Sequence, residues 1–346
     1  PELCRRLIAG RGEASNIALA REILLRFEGL DQDLKTVFFC TLAEPFGQDP
    51  NQIRQAADAF ANHQPDTLMR LLDAADPRRQ ELFRRLNMAP QGTASLVAMR
   101  AELLDRLGEH ELLCAVDADF RHLLASWFNR GFLRLQRIDW HSPAAVLEKL
   151  MRYESVHPVR GWDDLRRRLG DDRRCFGFFH PALPEEPLIF VEVALRHEMA
   201  TEIAPLIDPD APWGDPYTAD TAVFFSINNS LKGLRGISFG SVLLKQVLSD
   251  LGAELPGLKH FVTLSPMPRF AEGLRRLLAG EFPDWPAARV DQLLADHQPA
   301  LQELSGQASP CAALSTLLGG RAGQRDSVPV GVLARMALFY LSELKQ

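Results

Sequence analysis

FFSINNSLKGLRGISFGSVLLKQVLSDLGAELPGLKHFVTLSPMP, residues Phe224 to Pro268, is the stretch whose reading decides the fold. AVFFSI (222–227) is a β-branched and aromatic run ending in a polar turn, NNSLKGLRGISF (228–239). GSVLLKQVLSDL (240–251) then places Leu244, Val247, Leu248 and Leu251 on one helical face, and Gly252 suits its stop. HFVTL (260–264) is the next strand. Strand, helix and strand in this order imply a parallel crossover, right-handed by the general rule. The turn before the helix and the end of the second strand then open onto one edge of the sheet, where ligands of open α/β sheets bind. Ser265 stands at that end, because Pro266 and Pro268 cannot continue a central ladder.

The turn suits an anion. Gly236 and Gly240 permit close backbone approach, and the first amides of the helix, near Gly240 and Ser241, have no intrahelical partner. Those amides and the helix dipole favour a phosphate or diphosphate, with Lys232 and Arg235 adding positive charge. The spacing excludes G-x-x-x-x-G-K-S/T, since the residue before Ser241 is glycine. It also excludes G-x-G-x-x-G, because Gly233, Gly236 and Gly240 stand three and four apart. What remains is close to the R/Q-x-x-G-x-G/A turn of GNAT acetyltransferases, which holds the diphosphate of coenzyme A. Arg235 and Gly240 match it, and Ser238 replaces the middle glycine. Taken alone, a glycine-bearing turn before a helix is more often only a tight turn.

The 346 residues suffice for two domains. Thirty-nine basic against 45 acidic residues give a net charge of −6, which argues against a general nucleic-acid or membrane-surface binder. Cys4, Cys40, Cys114, Cys175 and Cys311 form no C-x-x-C pair, so a reducing compartment is the default. No apolar run reaches the roughly 18 residues of a membrane span. The chain starts at Pro1 and not at Met, which leaves a removed leader open. PVGVLARMALFYLSELKQ is still an amphipathic helix where the sequence stops.

Up to about Tyr153 the period is helical: Ile17, Ala20, Leu24 and Phe27 recur at that spacing, as do Leu96, Met99, Leu103 and Leu107. Ser142 before Pro143 predicts a capped helix start. After Glu154, CFGFFH and LIFVEVAL predict an antiparallel strand pair, and a Pro- and Asp-rich loop follows. From about Pro283 the chain is mainly helical again. The expected class is α+β: a helical bundle over 1–139, then a mixed-sheet α/β domain over 140–346.

Three blocks together resemble malonyl-CoA decarboxylase: RYESVHPVRGWDDLRRRLGDDRRCFGFFHPALPEEPLIFVEVAL (152–195), FFSINNSLKGLRGISFGSVLLKQVL (224–248) and LKHFVTLSPMPRF (258–270). The resemblance is specific from about Gln136 to Glu272, coarser over the helical half and looser after Phe282. It implies a helical assembly domain followed by a GNAT-like catalytic domain. It also implies conversion of malonyl-CoA to acetyl-CoA and CO2 without metal, biotin or pyridoxal. On the same ground Arg235, Gly236, Ile237, Ser238, Phe239, Gly240 and Ser241 match the family's coenzyme A segment, and Ser265 its catalytic serine. The family's catalytic histidine lies in an H-x-G-N-G-A segment after an FYL-containing helix. LARMALFYLSELKQ (333–346) matches that helix, and no such segment follows it here, so the domain reads as lacking its C-terminal end.

Asn228 and Asn229 are expected on the ligand edge, either as turn residues or as acyl or pantetheine contacts, with His157 as a further substrate contact. His157 and His180 read otherwise as structural groups at a strand or loop end. Glu192 is either catalytic or an outward-facing, solvated carboxylate. DDLRRRLGDDRR reads as a solvated helix face or as a source of arginines for the adenosine phosphates, and Cys175 as buried or as a redox link between subunits. The partners expected are malonyl-CoA and acetyl-CoA and a second copy of the chain, as a dimer or tetramer through the helical domain. Nucleic acid and membrane are not expected. The compartment expected is a bacterial-type cytoplasm, with mitochondrion and peroxisome left open by termini that read as incomplete. Two rival functions remain: a coenzyme A-dependent acyltransferase, which needs an acceptor and a base, and a non-catalytic acyl-CoA-binding protein.

Overall fold

A computed structural model of the chain describes residues 1–10, 12–62, 66–238, 242–320 and 327–344. Two compact units are present, Pro1–Ser265 and Pro266–Gln346. In the first, helices α1 (Glu2–Ala9), α2 (Glu13–Glu28), α3 (Gln32–Ala43), α4 (Pro50–Ala61), α5 (Thr67–Ala75), α6 (Arg78–Leu86), α7 (Gly92–Leu104) and α8 (Leu113–Trp127) precede a five-stranded sheet. Their starts follow ordinary capping chemistry: Asp31 accepts from Leu34 N at 2.8 Å ahead of α3, and Asp49 precedes Pro50 at the first turn of α4.

The strands are β1 (Arg134–Ile138), β2 (Arg173–Phe179), β3 (Ile189–Arg196), β4 (Thr221–Asn229) and β5 (His260–Thr263), paired in sequence order. β1 to β4 are antiparallel neighbours, with the short α11 (Ala204–Ile207) between β3 and β4, and β4 and β5 are parallel around α12 (Val242–Glu254). The mixed α+β class and the predicted crossover are therefore present. Leu243, Val247 and Leu251 of α12, and Leu255 just after it, are buried at i, i+4 spacing. They share one core with Phe176, Phe178, Val191, Val193 and Phe224 of the sheet and with the helical segment. The opposite sheet face, with Ile138, Cys175, Phe179 and Phe190, packs on α9 (Ala144–Tyr153) and α10 (Trp162–Arg168). Strands covered on both faces read as continuous apolar runs, which is why CFGFF and IFVEVAL lack a polar alternation.

Two local irregularities of β4 shape its carboxyl end. Glu192 pairs with Ser226 and Val193 with Phe224, so Phe225 is an extra residue, a β-bulge. β5 pairs with β4 over Thr221–Phe224 only, and the last link is Leu264 N to Phe224 O at 2.8 Å. β4 runs on to Asn229, so its Phe225–Asn229 edge has no ladder partner on the β5 side among the described residues.

Several expectations are corrected. β1 interrupts the stretch predicted as helix. Its RLQRI is polar at three of five positions because it is an exposed edge strand. Ser142 does not cap α9; its hydroxyl accepts from Asp139 N at 3.0 Å, closing the turn after β1, and Pro143 is the N-cap residue. α12 passes through Gly252 and ends at Glu254. Asn228 and Asn229 are the last residues of β4, not turn residues. DDLRRRLGDDRR is no solvated face, since Arg167, Arg168, Arg173 and Arg174 are all buried. Their charges are answered by Asp172 (2.7 and 2.8 Å), Asp164 (2.8 Å) and Glu254 (2.7 Å).

The second unit holds α13 (Phe270–Leu278), α14 (Ala287–Leu293), α15 (Gln298–Ser305), α16 (Pro310–Gly319) and α17 (Val330–Phe339) around Leu274, Val290, Leu314 and Met336. No helix among the described residues is long and apolar enough to cross a membrane.

Candidate active site

Parallel pairing of β4 and β5 brings their carboxyl ends to the same edge. Ser265 is exposed just past β5, and the glycine turn follows β4. In that turn Lys232–Leu234 form a single 3-10 turn, and Gly236 has φ of 77°, a conformation that favours glycine. Arg235, Gly236 and Ser238 are exposed and Ile237 is buried. Phe239, Gly240 and Ser241 lie outside the described residues. Lys232 pairs with Asp105 of the segment after α7.

A buried polar network lies beneath this edge, on the face covered by α9 and α10. Glu154, the residue after α9, is 4% exposed and accepts four hydrogen bonds. Its Oε1 takes the backbone N–H groups of Val156 (2.8 Å) and His157 (2.7 Å). Its Oε2 takes Ser226 Oγ (2.6 Å) and Asn228 Nδ2 (2.7 Å). Asn228 Nδ2 also donates to Ser226 Oγ (2.7 Å), and its Oδ1 accepts from Ser155 Oγ (2.8 Å). The Asn228 side chain is thus fully engaged inside the protein. Asn229, in contrast, is exposed at the strand's end.

Arg168 organises the neighbouring group. Its Nε donates to Asp164 Oδ1 (2.8 Å), and its Nη1 to the carbonyl of His157 (2.7 Å) and to Glu192 Oε2 (3.3 Å). Glu192 is 1% exposed, the reverse of the outward-facing option. Burial, reinforced by the charge of Glu154 and opposed by Arg168, pushes its carboxyl up to about 8. Its Oε1 is buried without a hydrogen-bond partner among the described residues. Cys175 sits opposite Glu192 in the β2–β3 register, is fully buried, and has its thiol pushed up by that burial, so it is the inert cysteine of its two readings.

His157 stands between these groups and solvent. Burial lowers its pKa, with Glu154 opposing and Arg168 assisting, so the imidazole is neutral near pH 7. Its Nε2 is buried without a hydrogen-bond partner among the described residues, and its ring centroid lies 6.3 Å from that of Phe225, the bulge residue. A cleft of about 670 Å³ opens beside it, walled by Pro158, Arg160, Asp164, Arg168 and Ile207. His180 has the structural role expected at a strand end, its Nδ1 accepting from Ala182 N at 3.1 Å. Among the described residues no group of three or more His, Cys, Asp or Glu is placed to hold a metal ion.

Comparison with known proteins decides the family. The family model for the malonyl-CoA decarboxylase C-terminal domain matches residues 131–318, and that for the N-terminal domain matches 46–128. The chain belongs to the malonyl-CoA decarboxylase family. Mitochondrial malonyl-CoA decarboxylases of Anser anser anser and Mus musculus are each 35% identical to it, over 69% and 68% of the chain. The chain spans about half the length of these curated relatives, 51% in each case. The crystal structure of malonyl-CoA decarboxylase from Rhodopseudomonas palustris superposes with a TM-score of 0.86 at 46% identity, covering 100% of this chain and 80% of that one. That from Agrobacterium vitis gives 0.78 at 45% identity, covering 94% and 76%.

Within the family frame, the two models meet near residue 130, between α8 and β1, while the physical core runs across that junction. Sequence reasoning missed Glu154, Ser226 and Arg168. A glutamate just after a helix and a serine inside an apolar strand carry no individual signal. Only the fold brings them into hydrogen-bond contact.

Proposed function

We propose that the full-length protein decarboxylates malonyl-CoA to acetyl-CoA and CO2, as a carboxy-lyase needing no metal, biotin or pyridoxal. The observation that carries this reading is the shared edge: a serine that resembles the family's catalytic one follows β5, and a turn that resembles its coenzyme A segment follows β4, the strand parallel to it. Loss of CO2 leaves an enolate whose charge spreads onto the thioester oxygen, so the substrate is its own electron sink. One proton is then added to the carbon, and the overall balance is malonyl-CoA plus H⁺ giving acetyl-CoA plus CO2. The protein has to hold the thioester, place donors at the oxyanion and handle that proton.

In this reading Arg235, Gly236, Ile237 and Ser238, with Phe239, Gly240 and Ser241, hold the diphosphate of coenzyme A. The unpaired edge at Phe225–Asn229 offers N–H and C=O groups to the amides of the pantetheine arm. Ser265 hydrogen-bonds the malonyl carboxylate or the enolate. Asn229 and the neutral His157 are the nearest candidates for acyl contacts, and Asn228 acts from behind by fixing Glu154 and Ser226. Assembly of copies through the helical segment and a bacterial-type cytoplasmic location complete the proposal. The bacterial origin of the structural neighbours and the unpaired cysteines support that location.

The test is to incubate the full-length protein with malonyl-CoA alone and to follow acetyl-CoA and CO2. Stoichiometric release of both without an acceptor is expected. Turnover only when an amine or alcohol is added would make the protein an acyltransferase. Tight binding with no release would make it an acyl-CoA-binding protein.

A further inference from the structure

The helical segment reaches the glycine turn through one buried guanidinium. Arg100 of α7 is 1% exposed. Its Nε donates to Asp117 Oδ1 of α8 at 2.8 Å, and its Nη1 donates to two carbonyl oxygens of the turn, Gly233 O (2.6 Å) and Arg235 O (2.9 Å). Gly233 lies against the same helix, where an added Cβ would overlap the Val97 carbonyl oxygen. Lys232 is paired with Asp105 just beyond α7. Three successive parts of the turn are therefore anchored on α7 and the residue that follows it.

Peptide planarity turns this anchoring into a functional constraint. In a trans peptide the C=O of Arg235 and the N–H of Gly236 point in opposite directions. With the carbonyl drawn inward to Arg100, the N–H of Gly236 faces outward from an exposed residue. The neighbouring amides are already used: Leu234 N, Arg235 N and Ile237 N donate to Leu231 O, Lys232 O and Leu234 O. The Gly236 N–H has no partner among the described residues. Carbonyl oxygens facing an anion would repel it; here they face a cation in the interior, and an amide faces the other way.

We infer that Arg100 is a positioning residue of the coenzyme A site: it holds the Gly233 and Arg235 carbonyls inward so that the turn presents the Gly236 N–H to the diphosphate. This rests on the coenzyme A reading of the turn. It gives the helical segment a part in substrate affinity besides any part in assembly.

The test compares malonyl-CoA with malonyl-pantetheine, which lacks the diphosphate, in the full-length protein. Arg100→Lys keeps the charge but cannot reach Asp117 and both carbonyls together. Gly233→Ala pushes the turn off α7 while leaving Arg100 intact. Each is expected to raise KM for malonyl-CoA and Kd for coenzyme A at least tenfold, with kcat within threefold. Each should leave kcat/KM for malonyl-pantetheine within twofold of wild type. Equal losses on both substrates would make Arg100 a purely structural residue and overturn the inference, as would unchanged affinity for coenzyme A. If Arg100→Lys does not fold, Gly233→Ala decides alone. A wild-type protein that handles the two substrates equally would remove the coenzyme A reading itself, a result visible before any variant is made.

Discussion

Arg168 on α10 places Nη1 3.3 Å from Glu192 Oε2 on β3, and the other oxygen of that carboxylate is buried without a hydrogen-bond partner among the described residues. One arginine shared among Asp164, Glu192 and two backbone carbonyls does not answer a second buried negative charge with Glu154 nearby. Glu192 resolves the conflict by holding a proton, which makes it a neutral group in a charged neighbourhood.

The stability of the fold should therefore fall as pH rises across this group. Its pKa is about 8 in the folded protein against 4.5 as the ordinary value. Below 4.5 both folded and unfolded states hold the proton and nothing is lost. Between 4.5 and 8 the folded state binds the proton and the unfolded state does not, so stability declines and levels off above 8. Glu192→Gln keeps the shape without the ionisation. Its melting temperature relative to wild type is expected to rise from pH 5 to pH 8, by the equivalent of ~1–3 kcal/mol. A difference that stays flat with pH would show that Glu192 is ionised in the fold.

Ser265→Ala should separate chemistry from binding. Ser265 is exposed just past β5, so the fold should be unchanged. Removing a donor aimed at a developing oxyanion costs roughly 10²–10³ in kcat in well-studied enzymes. The expected outcome is a turnover loss of that order with the affinity for coenzyme A kept within about threefold. Wild-type turnover in the variant would remove Ser265 from the mechanism.

What could be read without coordinates depended on how local each signal was. The crossover from β4 to β5 was legible because one strand, one helix and one strand each carry their own period and are adjacent in sequence. β1 was not, because an edge strand rich in Arg and Gln has no apolar alternation to display. The arginines of DDLRRRLGDDRR and the outward-facing option for Glu192 failed for one reason: a charge looks solvated until its burial is known, and Asp164 and Asp172, although close in sequence to their arginines, are buried with them only in the folded chain. Arg100 was silent for a related reason. Its acceptors are backbone carbonyls more than 130 positions away, and a carbonyl leaves no mark in the sequence.

The Glu154 network should behave as a structural keystone of the ligand edge. Glu154→Ala would leave the Val156 and His157 amides, Ser226 Oγ and Asn228 Nδ2 without their acceptor in a buried place. Each buried donor left without an acceptor costs about 1–3 kcal/mol, so the four together amount to several kcal/mol. Urea denaturation should show a loss of that size for Glu154→Ala. Ser226→Ala, which removes one donor and leaves Asn228 Nδ2 on Glu154, should lose only about 1 kcal/mol. Equal losses for the two variants would mean that the four bonds do not act through Glu154.

Gly236→Ala isolates the backbone conformation of the turn from its packing. A Cβ there would meet only Arg121 Nε, at 4.0 Å, so space is available. The residue nonetheless holds φ of 77°, where a Cβ costs roughly 1–2 kcal/mol. The turn can escape that strain by rotating the Arg235–Gly236 peptide, and the same rotation would bring the carbonyl toward the ligand. We expect the variant to fold with a melting temperature close to wild type and to bind coenzyme A about tenfold more weakly. Should it instead unfold at markedly lower temperature while binding coenzyme A normally, the positive φ of Gly236 would serve the fold and not the ligand.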